Sequence, residues 1–166
     1  MTTQPEPDWL SPQEQLAWRA YLRASRQLEV ALDRDLQVHG LSLAEYEIIS
    51  MVSEAPERRL RMSALADMVV QSRSRMTHTA KRLEARGWVE RVPVLDDRRG
   101  VDLVLTDEGW EALDKASRVH IEGVREHLVS ALSPEEFMAL GEAMRRVSEG
   151  LGTPPGGPKA GLWAPA

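Results

Sequence analysis

Ser72-Arg73-Ser74-Arg75-Met76-Thr77-His78-Thr79-Ala80-Lys81-Arg82-Leu83-Glu84-Ala85-Arg86-Gly87 is the stretch on which the reading of this chain turns. Ser72 is a favoured helix N-cap and Gly87 a favoured stop, so the segment between them predicts a helix. At 100° per residue, Met76, Thr79, Ala80 and Leu83 share one side. Ser74, Thr77, His78 and Lys81 face away, with Arg75 and Arg82 flanking them. The outward face carries hydrogen-bonding and cationic groups and no carboxylate. Such side chains can read base edges in a DNA major groove, and Arg75 has the fork that fits guanine O6 and N7. Arg73, Lys81 and Arg82 suit phosphates, which set position rather than sequence preference. An amphipathic helix with merely solvated arginines has the same periodicity, so the flanking segments decide between the two readings.

Upstream, Met62 to Val69 predicts a brief helix with Leu65, Met68 and Val69 inward, and a tight turn joins it to Ser72. This is a helix-turn-helix arrangement. Downstream, Trp88 to Val94 and Val101 to Thr106 alternate and are rich in β-branched residues, which predicts a hairpin around Leu95-Asp96-Asp97-Arg98-Arg99-Gly100. Pro93 lacks an amide donor and places its strand at a sheet edge. Adjacent Arg98 and Arg99 at a ribbon tip suit a narrow minor groove, where the negative potential is strongest. Asp97 is read as the partner of Arg99, orienting the tip while Arg98 projects.

The charge distribution supports that reading. The 166-residue chain has a net charge of -5, yet Arg58 to Arg99 holds eleven basic and five acidic residues and is +6, which leaves -11 for the remainder. Hydrophobic residues make up 42% and charged residues 28%, a globular composition. No cysteine is present, which excludes disulfides, thiolate zinc sites and cysteine nucleophiles. No apolar run approaches membrane-spanning length and the first residues do not resemble a secretory signal, so a cytoplasmic location is expected.

Around this centre lie four further helices. Ser11-Pro12 opens a long one that runs to His39-Gly40, with Trp18, Tyr21, Leu22, Leu28, Leu32 and Leu36 as its stripe. Leu41-Ser42-Leu43-Ala44-Glu45-Tyr46 is a capping box with a hydrophobic staple. Thr106-Asp107-Glu108 starts a helix with Trp110, Leu113, Ile121, Val124 and Leu128 on its stripe. Ser133-Pro134 starts the last, with Phe137, Leu140, Met144 and Val147 on one side. The expected order is α-α-(β)-α-α-β-β-α-α, in the mainly α (α+β) class. Residues 1–10 and the Gly/Pro-rich 150–166 read as flexible tails around a single domain, 11–149.

Three stretches carry a family resemblance: Leu65-Ala66-Asp67-Met68 with Ser72 to Thr77, Arg82 to Arg91, and Asp97-Arg98-Arg99-Gly100 to Thr106 followed by Asp107-Glu108-Gly109. The chain resembles the MarR-type winged helix-turn-helix regulators over about residues 11 to 149. The resemblance implies a recognition helix from Ser72 to Arg82 and a wing bearing Asp97, Arg98 and Arg99, within a DNA-binding unit at 41–106. It further implies dimerisation helices at 11–40 and 107–149, a homodimer, a palindromic double-stranded operator, repression, and release by a small aromatic or phenolic effector. Trp18, Tyr21 and Tyr46 are the effector-site candidates. His78 stands where the family pattern has arginine, the wing is short, and the absence of cysteine removes the peroxide-sensing branch.

Two other classes compete with this reading. His120 and His127, with Glu122 and Glu126 nearby, suggest a metal-responsive regulator, but two helical turns separate the imidazoles by about 10.5 Å, too far to share one ion unaided. A dimer that does not bind DNA is the other. No nucleophile elbow, P-loop, dinucleotide turn or zincin motif is present, so no catalytic residue, cofactor or metal ligand is expected.

Overall fold

The computed structural model describes residues 8–69, 71–94 and 97–152, with the backbone alone at 98 and 99. Helix α1 (Pro12–Leu36) starts at Ser11, whose hydroxyl accepts from the Glu14 amide while the Glu14 carboxylate accepts from the Ser11 amide. A 3-10 turn at Gln37–His39 and Gly40 at φ +68° then reverse the chain. Helix α2 (Leu43–Glu54) opens on the Ser42/Glu45 capping box. There follow β1 (Arg59–Arg61), α3 (Met62–Met68), α4 (Arg73–Ala85), β2 (Val89–Val94), β3 (Asp97–Leu105), α5 (Asp107–His127) and α6 (Pro134–Gly150). The element order is the one expected from the sequence.

The three strands form an antiparallel sheet in the order β1-β3-β2, so Pro93 does lie in an edge strand. Strand β3 begins at Asp97, four residues earlier than its alternation indicated, so the backbone of residues 97–100 belongs to the strand rather than to a turn. The ladder runs regularly from Val89 opposite Leu105 to Pro93 opposite Val101, then shifts to pair Val94 with Asp97. The irregularity falls at Pro93, which cannot donate to a ladder.

The core gathers where α2, α3, α4 and the sheet meet, with Ile48, Ile49, Val52, Leu65, Met76, Leu83, Val89 and Leu103 excluded from solvent. Leu41 and Tyr46, the predicted staple pair, are both buried in it. Helix α5 docks through Gly109, where a Cβ would collide with the Trp88 carbonyl, and through Thr106, whose hydroxyl donates to the Gly87 carbonyl at 2.6 Å.

The outer helices depart from their predicted stripes. On α1 the chain itself buries only Leu32 and Leu36, leaving Leu16, Trp18, Tyr21 and Val30 exposed. On α5 the buried face carries Gly109, Leu113, Ala116 and Gly123, whereas Trp110 and Ile121 are exposed. Helix α6 has no buried residue at all. A 25-residue helix is about 37 Å long and extends past the small body that its last turns cover.

Candidate nucleic-acid interface

Helix α4 is held by its inner face and presents the other. Ser72 caps it, its hydroxyl accepting from the Arg75 amide, and Met76, Thr79, Ala80 and Leu83 are buried. Thr77 and Thr79 donate their hydroxyls to the carbonyls of Arg73 and Arg75 at 2.8 and 3.1 Å. Ser72, Arg73, Ser74, Arg75, Thr77, His78, Lys81 and Arg82 are all exposed. The buried and outward sets match those read from the 100° spacing.

The cations of the basic segment sort into two groups. Arg58 pairs with Asp107 at 3.2 Å and stacks on Trp110, Arg59 reaches Asp102, and Arg61 pairs with Asp97 at 3.1 Å. Arg91 pairs with Glu84, whose carboxyl is held below the usual range chiefly by the hydrogen bond from the Arg91 side chain. Arg86 donates to the Gly40 carbonyl at 2.6 Å and lies over Trp88, and Arg82 donates through Nε to Glu45 at 3.1 Å. Arg73, Arg75 and Lys81 have no ion pair among the described residues, and all three lie on the outward face of α4.

Beside α4 stands the wing. A groove of about 360 Å³ runs between them, lined by Arg61, Ser63, Arg73, Thr77, Asp97 and Gly100. The Arg61 guanidinium crosses over Gly100 where a Cβ would stand, so a side chain there would push the ends of Arg61 and Asp97 aside. Asp97 Oδ2 accepts from Arg61 Nη2, a partner 36 residues away, while the expected pairing with the Arg99 side chain lies outside the described residues. The positions proposed for the Arg98 and Arg99 side chains, and the turn residues Leu95 and Asp96, lie outside the described residues. So do residues 1–7 and 153–166 of the two tails.

The effector candidates do not converge. Trp18 and Tyr21 stack on each other at 6.0 Å between ring centroids on the exposed part of α1. Tyr46 is buried in the core, where its ring meets His120 at 4.3 Å and its hydroxyl approaches Ser117 at 3.5 Å. The histidines proposed for a metal are engaged separately: His120 lies on Tyr46, and His127 Nε2 is 2.7 Å from Asp35 Oδ2. Among the described residues no group of three or more His, Asp or Glu side chains is placed to hold a metal ion.

Sequence reasoning missed Glu45 as a partner of α4 and Arg61 as a partner of the wing. Glu45 had a sufficient local role as the third residue of a capping box, and Arg61 sat in a three-residue strand with no period to read. Neither contact has a signal in one sequence, because both join segments more than thirty residues apart.

A short helix, a turn, a second helix with a bare cationic face, and an antiparallel ribbon beside it define a winged helix-turn-helix DNA-binding protein. A family model described as MarR family matches residues 39–100. The HTH-type transcriptional regulator PecS of Dickeya dadantii (strain 3937) is 31% identical over 131 residues, covering 78% of this chain and 78% of that protein. The crystal structure of Sco3205, a MarR family transcriptional regulator from Streptomyces coelicolor in complex with DNA, superposes with a TM-score of 0.83. It is 44% identical and covers 86% of this chain and 94% of that one. AbsC, a MarR family transcriptional regulator from the same organism, gives a TM-score of 0.82 and 39% identity, over 87% of this chain and 98% of that one. This chain belongs to the MarR family: it is a DNA-binding transcriptional regulator and not an enzyme. No helix among its described residues is long and apolar enough to cross a membrane.

Proposed function

We propose that the protein acts in the cytoplasm as a homodimer that binds a palindromic double-stranded operator and represses transcription from it, with one α4 in each of two successive major grooves and a wing beside each. The observation that carries this reading is the sorting of cations. Most arginines of the basic segment are spent on contacts within the chain, whereas Arg73, Arg75 and Lys81 have no ion pair among the described residues and lie on the face that also carries Ser74, Thr77 and His78. In this reading Ser74, Arg75, Thr77 and His78 meet base edges and Ser72, Arg73 and Lys81 meet phosphates. Asp97 steadies the wing through Arg61, while Arg98 and Arg99 enter the minor groove.

The exposed apolar residues of α1, α5 and α6 support the dimer, since pairing them across a two-fold axis buries what one chain leaves in water. The axis also sets two α4 helices about 34 Å apart, the repeat of the duplex. A small aromatic effector near Trp18 and Tyr21 that favours another separation releases the operator, by an amount set by its differential affinity for the two arrangements. The PecS and Sco3205 relationships support the regulatory reading as a whole.

Fluorescence anisotropy with a duplex recovered by this protein from a randomised pool tests it. Affinity is expected to fall roughly a thousandfold between about 50 and about 200 mM salt, as for six or more phosphate contacts. Recovery of no duplex above background, with no binding at either salt concentration, would establish the DNA-free dimer instead.

A further inference from the structure

The α1–α2 corner grips α4 at two points one helical turn apart. Arg82 Nε donates to Glu45 Oε1 at 3.1 Å, and Arg86 Nη1 donates to the Gly40 carbonyl at 2.6 Å. Glu45 is almost wholly buried, with 6% of its side chain exposed, and its other oxygen accepts from the Ser42 amide at 2.9 Å and from the Ser42 hydroxyl at 3.1 Å. A carboxylate taken out of water needs such partners, and removing one leaves an uncompensated buried charge. Arg82 is therefore part of the frame at its Nε end. Behind the corner, the Leu43 amide donates to Asp33 Oδ1 at 2.8 Å, so the contacts run from α1 through α2 to α4.

We infer that Arg82 is a positioning residue rather than a phosphate contact: clamped by Glu45 and seconded by Arg86 on Gly40, it sets the angle at which α4 is presented to DNA. This rests on the proposal that α4 enters the major groove. The Nη groups of Arg82 remain outside, with the side chain 51% exposed, so the phosphate role and the positioning role must be separated by experiment. They differ in sign at Glu45. A Glu45→Gln side chain keeps an oxygen for the Ser42 amide but gives up the charge that holds Arg82. If Arg82 binds phosphate, freeing it leaves operator affinity unchanged or raises it. If Arg82 is a strut, the same change misaims α4 and lowers affinity.

The full-length protein and its Glu45→Gln, Arg82→Ala, double and Arg73→Ala variants would be titrated by anisotropy against the selected duplex over a range of salt, with circular dichroism confirming that each is folded. Glu45→Gln and Arg82→Ala are expected to weaken binding by roughly tenfold each and no further when combined, with the slope of log affinity against log salt unchanged. Arg73→Ala, a phosphate contact, is expected to lower that slope by about one. A slope lowered by about one in Arg82→Ala, together with undiminished affinity in Glu45→Gln, would overturn the positioning role while leaving the DNA-binding reading intact. Failure of the unaltered protein to bind with a salt dependence would remove both.

Discussion

His120 shows what a single side chain contributes here. Its ring packs on Tyr46, its Nδ1 is buried without a hydrogen-bond partner among the described residues, and burial pushes its pKa below the ordinary 6.5. The unfolded chain therefore takes up the proton first as pH falls, so stability is complete above about pH 6.5 and is lost as pH drops through the unfolded value toward the folded one. Glu47 and Glu54 of α2 act oppositely. Burial raises both carboxyls, Glu29 adds to the effect on Glu47, and stability is regained as pH falls from their raised values toward 4.5. A His120→Phe variant isolates the imidazole. Between about pH 7.5 and about pH 5.5 the melting temperature of the unaltered protein is expected to fall further than that of the variant, as followed by circular dichroism. Equal shifts would place the acid sensitivity elsewhere. The position of His120 on a helix was legible in the sequence; its neighbour Tyr46, 74 residues away, was not.

At the scale of elements, the capping residues were the most legible feature of all. Ser11, Ser42, Ser72, Thr106 and Ser133 each accept from an amide three residues on, because capping is completed within one turn of chain. The faces of α4 were equally plain, since a single period decides which residues point at the core. Strand β3 was less so: residues 97–100 carry charge and glycine rather than alternation, and only pairing with β2 makes them a strand. From these elements follows a division of labour. Arg75→Ala and His78→Ala are expected to change which duplexes are recovered from a randomised pool, at a cost of about 1–3 kcal/mol on the preferred site. Arg98→Ala is expected to weaken binding to every sequence, most with A·T-rich flanks. Sequencing the recovered pools and titrating each variant checks this, and identical preferences and affinities for all three would dismiss the assignment of roles.

For the molecule as a whole, the outer helices pose the unresolved surface. Helix α6 half-buries Phe137, Leu140 and Met144 but has no fully buried residue, and Trp18, Tyr21, Ile121 and Val147 lie open on three different helices. The 18.6 kDa chain is expected to elute as a dimer at micromolar concentration, and a chain ending before Ser133 is expected to shift toward monomer. Elution of the full chain as a monomer would remove the argument for two half-sites.

Local order was written in the chain itself: where helices start and stop, which face of α4 is apolar, where the ribbon lies, and that positive charge gathers in the middle third. Each of these depends on residues within a few positions of one another, so one sequence suffices to read them. Which arginines remain free to meet a ligand was decided only by tertiary structure. Arg58, Arg61 and Arg82 resemble Arg73 and Arg75 in composition and charge, but folding brings Asp107, Asp97 and Glu45 to the first three and, among the described residues, no carboxylate within ion-pairing distance of the others. Ion pairing acts over a few ångströms in space whatever the separation along the chain, and that distance exists only once the elements have packed.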